Sequence, residues 1–428
     1  MALSLSIILT TILLIILSIL YFPNIKIKNT KLGSYWVIAL ISAILLICLK
    51  SVSINNILNS FTANTSINPV KILILFISMT FLSIFLDEIG FFKYIALKST
   101  TLFKSSQYKL FFGFYFLISF LTIFTSNDII ILTFTPFICY YCKNTKINPI
   151  PYLVSEFVAA NTWSMTLIIG NPTNIYLSSA FGLDFIKYLS VMIFPTLATA
   201  LVSLTILFLL FKKHLKDSME IYNEENTVPN KFLLINGLAH LIITTTLLAI
   251  SSYINLEMWS ITLIFAISLF VTNFIYLAIT KQSYKCLITT LKRAPWSLIP
   301  FVTSMFIIVL CLQEQGITNY LSSILSNSNQ VFTFGFSGAL AANLINNIPM
   351  SVLFANLIES NLSSIYASII ASNIAAFMTP IGALAGIMWM SLLKTYNIDF
   401  SFKKFTKYGL IIGLPSLFFA LCALSLVL

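Results

Sequence analysis

Charge is scarce in this chain. Of its 428 residues only 9% are Asp, Glu, Lys or Arg, and just two are histidine. A soluble domain carries about 25% charged residues, so the composition excludes a soluble domain, a nucleic-acid-binding protein and a disordered chain together. Cysteine is sparse and scattered (Cys48, Cys139, Cys142, Cys286, Cys311, Cys422), mostly within apolar runs, and implies no disulfide framework. The sequence also lacks an HExxH zinc motif and a Walker A loop, which removes a zinc protease and an ATP-driven engine. Strict polar–apolar alternation is missing as well, and with it the outer-membrane barrel, whose strands alternate over about 10 residues.

What is present is apolar length. Hydrophobic residues make up 58% of the chain, and the mean hydropathy is +0.97. Runs such as 2–22, 72–86, 189–211, 258–279 and 408–428 each span a hydrocarbon core of about 30 Å as a helix. The first run resembles a signal sequence, but no basic residue precedes it and it exceeds an h-region of about 7–15 residues. It reads as an uncleaved first span.

The net charge of +11 follows the loops rather than forming a patch. Segments 23–32, 87–109, 143–149, 212–231, 280–293 and 394–407 hold 21 of the 24 Lys and Arg; Lys50, Lys71 and Lys187 fall in the alternate loops. That asymmetry is the positive-inside rule, and nucleic acid is unnecessary to explain it. The expected topology has ten crossings (2–22, 33–49, 70–86, 150–183, 188–211, 232–252, 257–279, 295–313, 363–393, 408–428), with both termini outside the cytoplasmic membrane. Segments 110–142 and 329–360 must begin and end on one side. They read as re-entrant hairpins, the first from the cytoplasm and the second from outside.

Division near residue 222 gives two halves, 1–222 and 223–428, with one order: three spans, a hairpin, an interrupted span and a last span. The fold class expected is therefore an all-α polytopic membrane protein, ten transmembrane helices plus two re-entrant hairpins, arranged as an inverted-topology repeat with two interrupted helices. Such repeats mark secondary transporters, with the site at midplane where hairpin tips and broken helices meet. No extended residue identity between the halves is evident.

The interruptions carry the candidate ion- and substrate-binding residues. The first hairpin turns at Ser126, Asn127 and Asp128, and the next span breaks at Gly170, Asn171, Pro172, Thr173 and Asn174. The second turns around Asn343, Asn346, Asn347 and Pro349, and its following span breaks at Thr379, Pro380 and Gly382. Pro and Gly open backbone inside a bilayer only where protein or a water-filled cavity satisfies the freed groups, and the exposed helix ends then offer N–H and C=O groups to an ion. The alternative is proline kinks with asparagines gluing helices together.

Of thirteen acids, Asp128 and Glu156 lie well inside predicted membrane segments. An intramembrane acid is a functional hypothesis by default, so both are candidate coupling groups, with Asn161 and Thr162 following Glu156 toward the break. Asp128 also reads as an N-cap for the second hairpin arm, and Glu156 as a residue near the cytoplasmic surface. From Ala294 to Leu393 there is no Lys or Arg, which favours a neutral or weakly charged solute over a multivalent anion. Cys139 and Cys142, at i and i+3, suit a soft metalloid but read more simply as packing. Gly335 to Gly338 (GFSG) matches the pattern of rhomboid serine proteases, yet His214 sits in a loop and His240 on an earlier span, so Ser337 has no suitably placed base.

Leu86 to Lys98 (LDEIGFFKYIALK), SNDIIILTFTP, GNPTNI, NNIPMSVL and TPIGALAGIMW occur in the order found in the bacterial arsenite-efflux permease (ArsB) family, and the chain resembles that family over nearly its whole length. The family belongs to an ion-transporter superfamily with sodium/proton antiporters and sodium-coupled divalent-anion symporters. The resemblance implies scaffold and transport domains and efflux of arsenite or antimonite in exchange for protons. It further implies a homodimer through the scaffold spans and an optional separate ATPase subunit. It assigns Asn127 and Asp128 to the first hairpin, Asn346, Asn347 and Pro349 to the second, and Gly170 to Asn174 and Thr379 to Gly382 to the breaks. The chain departs from the family where Asn161 and Asn373 replace acids, which leaves Asp128 as the main titratable group. No cofactor beyond a coupling proton or sodium ion is expected; a sodium/proton antiporter or a sodium-coupled carboxylate or other anion symporter is the alternative.

Overall fold

The computed structural model describes residues 2–428 apart from 23, 28–29, 65–67, 104–105, 217–218, 220–229, 252, 326–328 and 360. The expected division at residue 222 lies outside the described residues.

The first half runs α1 (Ala2–Tyr21), α2 (Ser34–Cys48), α3 (Ile54–Thr62), α4 (Pro69–Glu88), α5 (Phe91–Phe103), α6 (Gln107–Phe124), α7 (Asn127–Asn144), α8 (Ile150–Trp163), α9 (Pro172–Ala180) and α10 (Phe185–Phe211). The second runs α11 (Lys231–Ala249), α12 (Met258–Ile279), α13 (Lys285–Arg293), α14 (Leu298–Glu314), α15 (Ile317–Leu325), α16 (Gln330–Ile345), α17 (Asn347–Ala355), α18 (Leu362–Ala375), α19 (Leu384–Thr395) and α20 (Phe402–Val427). The order of long and short helices in α1–α10 broadly recurs in α11–α20, with the exception that α7 has 18 residues where α17 has 9. Packing is exchanged in the same sense: α2 lies on α14 as α12 lies on α4, α7 meets α19 as α17 meets α9, and α10 packs on α20.

Helix starts follow local chemistry. The Asn68 side chain accepts from Val70 N at 2.8 Å ahead of Pro69, and Asp184 accepts from Ile186 N and Lys187 N at 2.9 and 3.0 Å. Each such cap satisfies N–H groups that have no partner inside the helix. Seven stretches of helix are long and apolar enough to cross a membrane among the described residues. Broken helices α8 and α18 are buried along most of their length, whereas α11 and α12 turn aliphatic side chains such as Ile235 and Ile264 outward. The interrupted helices therefore lie in the core; of the continuous ones α4 is also mostly buried, whereas α11 and α12 form part of the outer apolar wall.

Three features differ from the sequence expectation. The chain is not purely helical: Asn24–Ile27 pairs antiparallel with Thr30–Gly33, Ile25 opposite Leu32. The alternation of Asn24, Ile25, Lys26 and Ile27 between polar and apolar has the period of a strand. Loops read as plain connections carry short helices, α3, α5, α13 and α15.

The third difference is a short identity between the halves. Leu86-Asp87-Glu88-Ile89-Gly90 ends α4 and Leu312-Gln313-Glu314-Gln315-Gly316 ends α14, with Tyr94 and Tyr320 four residues beyond each glycine. Gly90 and Gly316 adopt φ of 84° and 74°, a left-handed turn that glycine enters without steric cost. The Tyr94 and Tyr320 amides donate back to those glycine carbonyls at 2.9 and 3.2 Å. Arg293 at the end of α13 holds Asp87 at 2.8 Å and also pairs with Glu88, while Glu314 accepts from Ser53 N and from Asn56 Nδ2 at 2.7 Å beside α3. Only the folded chain shows that these two segments occupy equivalent places, because they share too few letters to align on their own.

Candidate functional site at the hairpin tips and helix breaks

Both hairpins form where the polar residues interrupt the apolar runs. The first turns at Thr125 and Ser126, and Asn127 opens α7. Ser126 occupies the cap position without a side-chain cap bond, and Asp128 lies in the first helical turn, where a carboxylate favours the positive end of the helix dipole. Asp128 is therefore not the N-cap of this arm. The second hairpin turns at Asn346, held at φ 76°, and Asn347 opens α17 with Pro349 in its first turn.

Each following span breaks as the sequence predicts. Between α8 and α9 the chain passes through a 3-10 turn, Ile168–Gly170, and Asn171 caps α9 with Pro172 behind it. Between α18 and α19 it runs through Thr379, Pro380 and Gly382. A side-chain carbon at Gly170 would sit 2.1 Å from the Ser164 carbonyl oxygen, and one at Gly382 would sit 2.1 Å from that of Ala375. Each glycine lets the opened backbone fold against the end of its own half-helix. Asn161 and Asn373 stand equally far before these glycines, and each donates Nδ2 to the carbonyl four residues earlier, Phe157 or Ile369, at 2.8 Å.

A chain of carboxamides and hydroxyls connects the halves. Asn127 Nδ2 donates to Asn161 Oδ1 at 2.9 Å. Ser164 Oγ and Asn171 Nδ2 both reach Asn373 Oδ1, at 2.9 and 3.0 Å, and Asn373 Nδ2 donates to Asn174 Oδ1 at 2.7 Å. Thr173 Oγ1 lies 2.9 Å from Ser372 Oγ, and Asn347 Nδ2 reaches the Ser372 carbonyl at 3.4 Å. At the second tip, Asn346 Nδ2 donates to Ile381 O, Asn347 N to Gly382 O, and Thr379 Oγ1 to Asn343 Oδ1 at 2.6 Å. Among the described residues, Ser126 Oγ and Asn127 Oδ1 at the first tip and Thr162 Oγ1 on α8 are buried without a hydrogen-bond partner. Buried polar atoms are ordinarily paired, so these unpaired acceptors suit a cation or a hydroxyl-bearing solute.

Asp128 is half-buried and opens into a cavity of about 940 Å³, together with Tyr35, Ser297, Ile348, Pro380 and one face of α19. Among the described residues its carboxylate has no hydrogen bond or ion pair. Glu156 lies apart from the tips and does not reach the surface: it is fully buried, accepting from Thr135 Oγ1 at 2.9 and 3.1 Å. The helical arms thus bring Asn127, Asn161, Asn171, Thr173 and Asn174 together, keep Asn343 and Thr379 as a separate pair, and place Glu156 deeper along α8. Ser164, Ser372 and Thr135 carry no signal in a single sequence. Asn373, by contrast, is marked by its spacing to Gly382. Substitution Asn373→Ala orphans the Asn171 amide and the Asn174 oxygen. It should lower the thermal midpoint of the purified protein, at about 1–3 kcal/mol per unpaired group. An unchanged midpoint would show that this network does not hold the breaks together.

The citrate transporter family matches residues 12–366 of this chain. The chain belongs to the citrate transporter family. An arsenical pump membrane protein of Escherichia coli K12 is 27% identical over 373 residues, 82% of this chain and 85% of that protein. The arsenical pump membrane protein of Yersinia enterocolitica is 26% identical over 373 residues, with the same shares. Among solved structures, the Alcanivorax borkumensis YdaH transporter superposes with a TM-score of 0.60 at 13% identity, covering 99% of this chain and 97% of that one. Neisseria gonorrhoeae MtrF, described as illuminating a class of antimetabolite efflux pumps, gives 0.55 at 14% identity, covering 98% and 94%. Citrate transporter family membership and this fold make the chain a multi-pass secondary transporter and not an enzyme. The GFSG serine fits that assignment: Ser337 Oγ is bonded to Thr333 O at 2.5 Å, and the His240 ring contacts Asn236 O and Ser268.

Proposed function

We propose that this protein exports arsenite, antimonite or a related small oxyacid from the cytoplasm in exchange for protons. The observation that carries this reading is Asp128, an unpartnered carboxylate at a hairpin tip, facing a cavity large enough for solute and water. An acid so placed can bind a proton on one side and release it on the other. The neighbouring orphan acceptors at Ser126, Asn127 and Thr162 match a solute rich in hydroxyl groups.

Charge argues for such a solute over a tricarboxylate. Lys394 is the one cation among the described residues lining the cavity, against the carboxylates of Asp128 and Asp399. The names of the curated relatives, arsenical pump membrane proteins, agree. Glu156 is assigned a second coupling role, because a carboxyl buried with one hydroxyl donor has little structural reason to be there. In this reading the protein sits in the cytoplasmic membrane with both termini outside, dimerises through its outer spans, and accepts an optional ATPase subunit.

The test is arsenite uptake into everted membrane vesicles energised by respiration. Uptake should collapse on adding an uncoupler. No uptake in vesicles shown to contain folded protein would overturn the arsenite reading. A second reading rests on the same orphan oxygens, which also suit sodium; uptake that ignores the uncoupler but follows an imposed sodium gradient would establish it instead.

A further inference from the structure

The 940 Å³ cavity has a smaller counterpart on the opposite side of the molecule. It measures about 280 Å³ and is bounded by Lys71, Glu257, Trp259, Ser179, Gly182 and Leu183. The repeat places its walls where the larger cavity has its own. Helices α9 and α19 end in the same turn: Gly182 and Asn397 adopt φ of 60° and 58°, and the next amide, Leu183 or Ile398, closes back at 2.8 or 2.9 Å. Through that turn Ser179, Gly182 and Leu183 correspond to Lys394, Asn397 and Ile398, which all line the larger cavity.

The fixed wall matches as well. Counted back from Leu86 and Leu312, Lys71 corresponds to Ser297, and Trp259 and Tyr35 are each the second residue of their helix, α12 and α2. Tyr35 Oη donates to Ser297 Oγ at 3.1 Å across the large cavity; across the small one Lys71 lies 5.9 Å from the Trp259 ring and pairs with Glu257 at 2.6 Å. Five lining residues of the small cavity therefore have cavity-lining partners in the other repeat.

The two sites differ in how deep they reach. In α19 the residues Leu384, Ile387, Met388 and Ser391, at i, i+3, i+4 and i+7, face open space. Because α9 has 9 residues and α19 has 12, the registers taken from their two ends differ by one helical turn; counted from the start of α9, as Gly170 and Gly382 also align, the same positions are Pro172, Ile175, Tyr176 and Ser179. Of these only Ser179 reaches the small cavity; Ile175 and Tyr176 are buried, on a helix that packs on α4, α17 and α18. Among the described residues the Tyr176 hydroxyl is buried without a hydrogen-bond partner. A phenol sealed dry costs free energy in this state, and would recover it where the face meets water.

We infer that the small cavity is the closed external portal of the transport path, and that the Ile175–Tyr176–Ser179 face of α9 lines it when it opens. The larger cavity, on the side of the Lys-rich loops, then closes over the α19 face. The two walls give the two ends unlike chemistry: an aliphatic and thioether entry inside, and an exit with hydroxyls, an indole and an ion pair. This inference rests on the transporter reading but needs neither arsenite nor proton coupling.

The experiment is thiol labelling with a membrane-impermeant maleimide, in right-side-out and everted vesicles carrying the full chain. Because Cys48 is exposed, the background is Cys48→Ser. Ser391→Cys should react from one membrane face, and Ile175→Cys from the other although Ile175 is fully buried here. A wedge in the large cavity, Ser391→Trp, should slow labelling of Ile175→Cys about tenfold by holding that side open. Ser179→Cys supplies the same comparison if Ile175→Cys is not recovered folded. Absence of Ile175→Cys labelling from the far face, or a rate indifferent to the wedge, overturns the inference. Failure of arsenite uptake with these labelling results intact would instead overturn the solute assignment alone.

Discussion

Asp128→Asn should reduce arsenite uptake driven by a proton gradient to the level of vesicles without the protein, while the purified variant still binds arsenite. The amide has nearly the same shape, and the carboxylate it replaces makes no hydrogen bond or ion pair among the described residues, so nothing is left unsatisfied. The structural cost is limited to the lost helix-dipole interaction in the first turn of α7, about 0.3–1 kcal/mol. Arsenite-for-arsenite exchange without a pH gradient should persist, because the Asn127–Asn161 contact and the orphan oxygens are untouched. Unaltered pH-driven uptake would show that the proton travels elsewhere, with Glu156 as the remaining buried acid.

Gly170→Ala and Gly382→Ala should each remove transport and lower the thermal midpoint, and by similar amounts. A methyl group 2.1 Å from a carbonyl oxygen leaves a contact about 1 Å too short, and overpacking on that scale costs about 1–3 kcal/mol or more. The atom that would be struck is backbone in both cases and cannot rotate away. Equal damage at the two sites would follow from equivalent geometry. A fully active Gly382→Ala would mean that the second break does not fold against α18 in the working protein.

Much of this architecture was legible in the sequence because insertion into a bilayer writes long-range structure as local composition. Apolar length, loop cations and paired Pro-Gly interruptions placed the hairpins and both breaks within a few residues. What composition does not encode is which interrupted ends meet. The role of Asn373 depends on bonds to Ser164, Asn171 and Asn174, some two hundred positions earlier, and Ser372 reads as an ordinary helical serine until the chain is folded. Glu156 was visible as an acid, but its depth was not, because its distance from the surface is set by the packing of α7 and α19 around α8. The short helices have a different reason: 9 residues in α3, α13 and α15, and 13 in α5, give no membrane-length signal.

The two matching helix ends are tied down by different forces. At the end of α4 a guanidinium holds Asp87 and Glu88, whereas at the end of α14 Glu314 is gripped by an amide and a backbone N–H. The Arg293–Asp87 contact of 2.8 Å lies well inside the screening length of about 8 Å at physiological ionic strength, so salt weakens this partly buried pair only modestly, and hydrogen bonds to neutral donors less still. Added electrolyte should therefore act slightly more on one joint than on the other. A molecule built from two copies of one plan would then carry a built-in asymmetry, with the salinity of a single compartment biasing where it rests between turnovers.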